Sequence, residues 1–199
     1  MKELTIEPDV LARKLAALRG KPHAEYESDS SFDPREYKPA AVLVPLLWYE
    51  GEWHLLFTRR SSSLMNHGGQ VAFPGGSWDV EDEDLIATAR REAWEEVGLR
   101  PEDVRVLGDM SAIGIITRFL VTPVVGIIPW PYPLRLQEAE VARAFIVPLS
   151  WLANPGNFYT STRIYEGKSY EIGYYQLYDG EKIWGATAQM TREFLKLIN

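Results

Sequence analysis

The chain has 199 residues, enough for one domain with a full core and too few for two of ordinary size. Its formal net charge of −7 argues against a nucleic-acid duplex as partner, because such binding needs lysine and arginine against the phosphates. Cysteine is absent, which excludes disulfides, zinc–thiolate sites and thiol nucleophiles. The sequence starts without an apolar leader, and its longest apolar runs are too short to cross a bilayer. We therefore expect a cytoplasmic protein with no membrane partner.

The N-terminal part predicts one helix followed by an extended arm. Apolar residues at helical spacing indicate an amphipathic helix over residues 7–19, which ends at Gly20. Residues 22–39 are polar and rich in residues that break helices. So short a segment cannot bury a core alone. We therefore divide the chain into an N-terminal helix and extended arm, residues 1–37, and a main domain, residues 38–199.

The main domain mixes strands with helices. A hairpin is predicted from residues 40–49 and 53–59, and a strand over 70–73 leads into a Pro-Gly-Gly turn. A helix begins near Asp82 or Asp84, runs through residues 87–97 and ends at Gly98. Further strands are predicted at 104–108, 118–128 and 143–147, a short helix at 149–153, a hairpin within 158–178 and a closing helix at 186–198. This order predicts the α+β class, with a mixed β-sheet flanked by helices.

Three acidic residues of the central helix form the strongest chemical pattern. Glu92, Glu95 and Glu96 stand at helical positions i, i+3 and i+4, so their carboxylates share one face. Grouped like charges repel unless a cation lies among them, and carboxylate oxygens suit Mg²⁺ or Mn²⁺. Arg91 is placed to orient one of the carboxylates. The alternative is a solvated acidic face, which the small apolar residues on the rest of the helix make less favourable.

Residues 91–99, Arg-Glu-Ala-Trp-Glu-Glu-Val-Gly-Leu, resemble the core of the Nudix hydrolase signature. Seven residues separate Glu83 from Arg91, as in that signature, whereas six residues instead of five separate Gly76 from Glu83. The additional residue lies in a loop, where insertions are tolerated. This resemblance implies an α/β/α layered Nudix fold and an enzyme that hydrolyses a small nucleotide-type diphosphate.

A second set of motifs is similar to the Nudix coenzyme A pyrophosphatases. Residues 56–61, Leu64, His67, Gly69 and the Phe-Pro-Gly-Gly run at 73–76 resemble their additional motif, and similar segments follow as far as residue 188. The likeness covers about residues 38–198. Met65 stands where that motif has an arginine, which keeps open a second substrate class: ADP-ribose, NADH or another nucleoside diphosphate derivative.

The resemblance implies a metal ion held by Glu92, Glu95 and Glu96, which neutralises the diphosphate and activates water for attack on phosphorus. Glu140 is a candidate base or further ligand, and a plain surface role explains it equally well. The candidate substrate-binding residues are Arg59, Arg60, His67, Gly75 and Gly76. A module that senses a nucleotide without hydrolysing it is disfavoured by the complete set of acids. The arm and the numerous aromatic residues are compatible with a homodimer.

Overall fold

The structure is a computed structural model that describes residues 6–18, 33–63, 68–115, 117–165 and 168–198. The α-helices in these ranges are α1 (Pro8–Ala16), α2 (Leu85–Val97), α3 (Leu149–Leu152) and α4 (Gly185–Ile198). The strands are β1 (Lys38–Tyr49), β2 (Glu52–Arg60), β3 (Val71–Ala72), β4 (Gly75–Ser77), β5 (Arg105–Asp109), β6 (Ile113–Gly114), β7 (Phe119–Ile127), β8 (Val141–Pro148), β9 (Phe158–Tyr165), β10 (Lys168–Tyr178) and β11 (Glu181–Trp184). None of the helices in these ranges is both long and apolar enough to cross a membrane.

The strands form two sheets. The main sheet has the order β3-β2-β1-β7-β5, and β8, β4 and β6 pair with β2, β1 and β7 respectively. Strands β1 and β7 are parallel and their neighbours are antiparallel, so this sheet is mixed, as predicted. The second sheet is an antiparallel arrangement in the order β11-β10-β9.

The main sheet is covered on both faces, because successive residues of β1 are buried in two different core clusters. Leu43 and Leu47 are buried in the core cluster that contains the apolar side of α2. Val44 and Leu46 are buried in the other cluster, which contains residues of α1, α4 and the second sheet. Successive strand residues point to opposite faces, so a strand buried on both sides has a nearly continuous apolar sequence. The predicted fold class, a mixed sheet flanked by helices, is confirmed.

Helix α1 is part of this core. Leu11 and Leu15 are fully buried in the cluster opposite α2, and Leu15 lies against Gly108 of β5. Residues 19–32, which contain most of the predicted arm, lie outside the described residues. The division of the chain at residue 37 stays a prediction.

Strands β4, β6 and β11 differ from the sequence-based expectation. Gly75 and Gly76, predicted as part of a turn, belong to β4 and pair with Val42 and Ala41 of β1. Strands β6 and β11 were not predicted, and Trp184 at the end of β11 is 36% exposed. The burial of β11 alternates, with Glu181 and Ile183 turned inward, which leaves Trp184 stacked on the ring of Tyr174.

Candidate active site

Helix α2 carries the acidic cluster and is fixed at both ends. The Asp84 side chain accepts a hydrogen bond from the Ala87 amide at 2.8 Å, which caps the first turn. Gly98 ends the helix in the left-handed region, with φ of 71°. The buried residues Ala89, Ala93 and Val97 seat the helix on the main sheet. These contacts set which face of α2 presents the acids.

The three predicted ligands have three different environments. Glu96 is 2% exposed, and its Oε1 accepts a hydrogen bond from Arg60 of β2 at 3.3 Å. Glu92 is half-buried, and Glu95 is exposed. The cluster therefore runs from the interior of the protein to its surface along one face of α2.

Burial raises the pKa of two of these acids. For Glu96 the pKa rises to about 8, mainly because burial disfavours the charged form; Arg60 opposes the rise, whereas the charges of Glu92 and Glu140 add to it. The pKa of Glu92 is raised as well, again mainly by burial. Hard carboxylate oxygens short of compensating positive charge are suited to a divalent cation, so the residues present fit such an ion.

The carboxylates do not already stand in a ligating arrangement. Among the described residues, no group of three or more aspartate, glutamate, histidine or cysteine side chains has the geometry of a metal site. Arginine contacts explain this, since Arg91 binds Glu92 and Glu95 while Arg60 binds Glu96. The structure therefore brings the predicted ligands onto one face, and their role as ligands stays a prediction.

Arg91 is the centre of the hydrogen-bond network beside the acids. Its guanidinium donates to Glu92 at 2.9 Å and to Glu95 at 3.1 Å, so it orients two carboxylates where the sequence predicted one. The same group makes a two-point contact with Asp82, at 2.9 and 3.0 Å, and also donates to the Ser77 carbonyl. This contact with Arg91 lowers the pKa of Asp82 to about 2.

The acid that holds Arg91 is Asp82, which the sequence offered only as a possible start of the helix. Glu83 is exposed, whereas Asp82 also accepts hydrogen bonds from the Thr88 hydroxyl and the Asp79 amide. Glu83 fits the spacing of the signature, but spacing alone does not reveal which of two neighbouring acids turns inward. The sequence did indicate that Asp82 is a short polar residue just before α2, a position that such residues favour.

The two glycines of β4 lie against β1 and the acids. A Cβ atom on Gly76 would lie 2.5 Å from Oε1 of Glu92, and one on Gly75 would lie 2.6 Å from the Cα of Val42. The Gly75 backbone also hydrogen-bonds Glu96, which lowers the pKa of that acid. The close approach predicted from these glycines is thus made to the acids and to β1. Their contact with substrate stays a prediction.

The remaining candidates are spread around the end of β2. Glu140 is exposed in the turn before β8, and its backbone carbonyl accepts a hydrogen bond from the Ser61 amide at 2.7 Å. Its charge raises the pKa of both Glu92 and Glu96.

Arg59 does not join Arg60 at the acids, because it points to the other face of the sheet and contacts Glu181. His67 and Met65 lie outside the described residues. The sequence analysis did not identify Glu181 or Arg143, which both lie beside Arg59. No local pattern of the sequence indicates this contact, because the residues that make it lie far apart in the chain.

A NUDIX domain family model matches residues 37–165. The chain belongs to the Nudix family. This Nudix hydrolase is 43% identical over 168 residues to a Cronobacter sakazakii protein named uncharacterized Nudix hydrolase NudL, covering 83% of this chain and 84% of the relative. It is 40% identical over 161 residues to the protein of the same name from Shigella flexneri, covering 81% and 83%.

Solved structures agree at the level of the fold. A MutT/nudix family protein from Enterococcus faecalis superposes with a TM-score of 0.51 at 16% identity, covering 89% of this chain and 70% of the other. The Nudix hydrolase RenU from M. smegmatis gives a TM-score of 0.50 at 23% identity, covering 60% and 74%. The predicted family, fold and enzyme class are confirmed: this Nudix pyrophosphohydrolase acts on a small nucleoside diphosphate derivative, and enzymes of the family generally use divalent metal ions. Homodimer formation stays a prediction.

Proposed function

We propose that this Nudix hydrolase cleaves the diphosphate of coenzyme A or its acyl derivatives, by attack of water on phosphorus. The observation that carries the proposed chemistry is the buried Glu96 beside Glu92 on one face of α2, where compensating positive charge is incomplete. We assign Glu92, Glu95 and Glu96 as ligands of Mg²⁺ or Mn²⁺. When bound, the ion supplies positive charge at the diphosphate and lowers the pKa of a water molecule.

The residues of the chain then have distinct roles in the proposed reaction. Arg91, held by Asp82, keeps Glu92 and Glu95 in place. Arg60 balances part of the charge of Glu96 at the end of β2, where its remaining N–H groups can meet a phosphate oxygen. Glu140 is exposed at the edge of the acids and accepts the proton of the attacking water. Water adds to phosphorus, the bond from phosphorus to the bridging oxygen breaks, and two phosphate monoesters leave.

The substrate assignment is supported by the second set of motifs. Arg60 and the Phe-Pro-Gly-Gly run at 73–76 both belong to the motif that resembles the coenzyme A branch, and Arg60 and the two glycines of that run contact the acids. Met65 is the observation that favours the second candidate, hydrolysis of ADP-ribose, NADH or another nucleoside diphosphate derivative. An arginine reads phosphates in a way that methionine cannot.

A substrate panel with Mg²⁺, read by mass spectrometry of the products, tests the proposal. Coenzyme A should give an adenosine bisphosphate and a phosphorylated pantetheine. Turnover of ADP-ribose without turnover of coenzyme A would establish the second candidate. Binding of Mg²⁺ without hydrolysis of any panel member would leave only a sensing role. Met65→Arg should improve turnover of coenzyme A if residue 65 contacts a substrate phosphate, and an unchanged kcat/KM would exclude that contact.

A further inference from the structure

Two arginines that the proposed reaction does not use lie side by side on the other face of the main sheet. Arg59 of β2 and Arg143 of β8 are register partners on neighbouring antiparallel strands. Both donate to the same oxygen, Oε1 of Glu181 in the second sheet, at 3.1 and 3.0 Å. Arg143 also binds Asp179, at the turn between β10 and β11.

This pairing is unfavourable without its acidic partner. Like charges directly opposite each other on neighbouring strands repel. The Glu181 side chain is only 5% exposed, and a carboxylate buried to that degree needs cations around it. Glu181 therefore fixes both guanidinium groups at one point. The result is a preorganised pair of planar, permanently charged donors.

Both arginines keep donors that solvent can reach. The Arg59 side chain is 41% exposed and that of Arg143 is 35% exposed, and each guanidinium has five N–H groups. The other partner of Arg143, Asp179, is 65% exposed, so an incoming anion can replace it without unburying a charge. A phosphate monoester, with about two negative charges and three acceptor oxygens, is the anion that two adjacent guanidinium groups fit best.

Arg59 is also adjacent in the chain to Arg60, which contacts the acidic cluster. Arg60 points toward α2 and Glu96, whereas Arg59 points to the opposite face, because successive residues of a strand alternate. Both residues stand at the end of β2. A substrate group that reaches Arg59 while the diphosphate lies at Glu96 would have to extend from one face of the sheet to the other.

We propose that Arg59 and Arg143, positioned by Glu181, bind a phosphate monoester of the substrate that is remote from the diphosphate being cleaved. This proposal rests on the proposed function, since coenzyme A carries such a group on its ribose. Dephospho-coenzyme A has the same diphosphate and lacks that group. The two substrates therefore separate the arginine pair from the chemistry of the acids.

The first experiment compares kcat and KM of the full-length enzyme with Mg²⁺ on coenzyme A and on dephospho-coenzyme A. Arg143→Gln should reduce the preference for coenzyme A roughly tenfold, through KM rather than kcat, because a charge-assisted contact to bound phosphate is lost. Glu181→Gln should also reduce the preference for coenzyme A, since both guanidinium groups lose the carboxylate that positions them. Asp179→Asn should increase the preference, because a competing carboxylate is removed. Lys182→Gln, an equal loss of charge on the neighbouring exposed residue, should leave the ratio unchanged.

A purely structural role for the four residues predicts a different result. Losses of activity that are equal on the two substrates, together with no gain from Asp179→Asn, would overturn the proposal. If Arg143→Gln fails to fold, Asp179→Asn decides the matter alone. If coenzyme A is not hydrolysed, the proposed function fails, and calorimetric titration of adenosine 3′,5′-bisphosphate against AMP tests the arginine pair separately. Tighter binding of the bisphosphate supports the pair, and equal affinities overturn it.

Discussion

Glu96 combines burial with a charge that only one arginine partly balances. Replacement by glutamine keeps an acceptor for Arg60 and removes the negative charge. Glu96→Gln should lower kcat roughly 100- to 1,000-fold, the usual effect of losing one group that stabilises charge in a transition state. The metal-free protein should be no less stable, since burial disfavours the charged form of this carboxyl group and glutamine is neutral. Steady-state kinetics and thermal unfolding in EDTA measure the two effects.

Glu83→Gln is the matched control for that substitution, because Glu83 is exposed and lies outside the acidic cluster. It should leave both kcat and the unfolding temperature at the wild-type values. An active Glu96→Gln enzyme, or one that unfolds without metal, would show that Glu96 has been assigned the wrong role.

Asp82 acts through Arg91, so its replacement should disturb two glutamates at once. Asp82→Asn keeps the size of the side chain and weakens the two-point contact with the guanidinium. We expect a loss of about 1–2 kcal/mol in the free energy of unfolding at neutral pH, together with a lower kcat. Denaturant unfolding and kinetics measure these changes. Wild-type values for both would remove Asp82 from the network that orients the acids.

The same pair makes stability depend on pH at the acidic end. Contact with Arg91 lowers the pKa of Asp82 from 3.8 to about 2, so the folded state favours the ionised form. Its contribution is complete above pH 4 and is lost as the pH falls through about 2. The difference in unfolding temperature between the wild type and Asp82→Asn should shrink over that interval. A constant difference down to pH 2 would contradict the assigned pKa.

At the scale of elements, strand β4 brings the loop before α2 against the acids. Gly76 has no Cβ, and the carboxylate of Glu92 occupies the space that one would fill. Gly76→Ala should therefore displace Glu92 and reduce kcat at least tenfold, while the fold is retained, because misplacing a catalytic group by a fraction of an ångström is costly. Kinetics with Mg²⁺ and circular dichroism test this expectation.

Gly156→Ala provides the comparison for β4. A Cβ at Gly156 would meet the Asn154 side chain at an ordinary 3.4 Å, so activity should not change. Equal activity of the two alanine variants would mean that Glu92 does not need its observed position.

At the scale of the whole molecule, α1 contributes to the core that supports the sheet from the face opposite α2. Leu15 is fully buried there, whereas Val10 of the same helix is 41% exposed. Leu15→Ala should reduce the free energy of unfolding by about 2–5 kcal/mol, and Val10→Ala should have little effect. Below the unfolding temperature both variants should retain the wild-type kcat. If Leu15→Ala left the free energy of unfolding unchanged, α1 would not contribute to the stability of the domain.

How far sequence could predict the structure differs between elements. Helix α2 was predicted closely because its cap, its apolar positions and its terminal glycine all lie within one short segment. Strands β6 and β11 pair with neighbouring strands and were missed because they are very short. Strand β4 is also short, and it pairs with β1, which lies far earlier in the chain. Local pattern does not contain that pairing.

The sequence by itself determined the family, the mixed sheet with flanking helices and the acidic face of α2, because periodicity, capping and motif spacing are local properties of the chain. Only the tertiary structure decided that Asp82 rather than Glu83 holds Arg91, and that Arg59 and Arg60 serve opposite faces of the sheet. It alone revealed the meeting of Arg59, Arg143 and Glu181. The physical reason is that charge pairing and burial depend on residues far apart in the chain, whose contacts exist only after the sheets have packed.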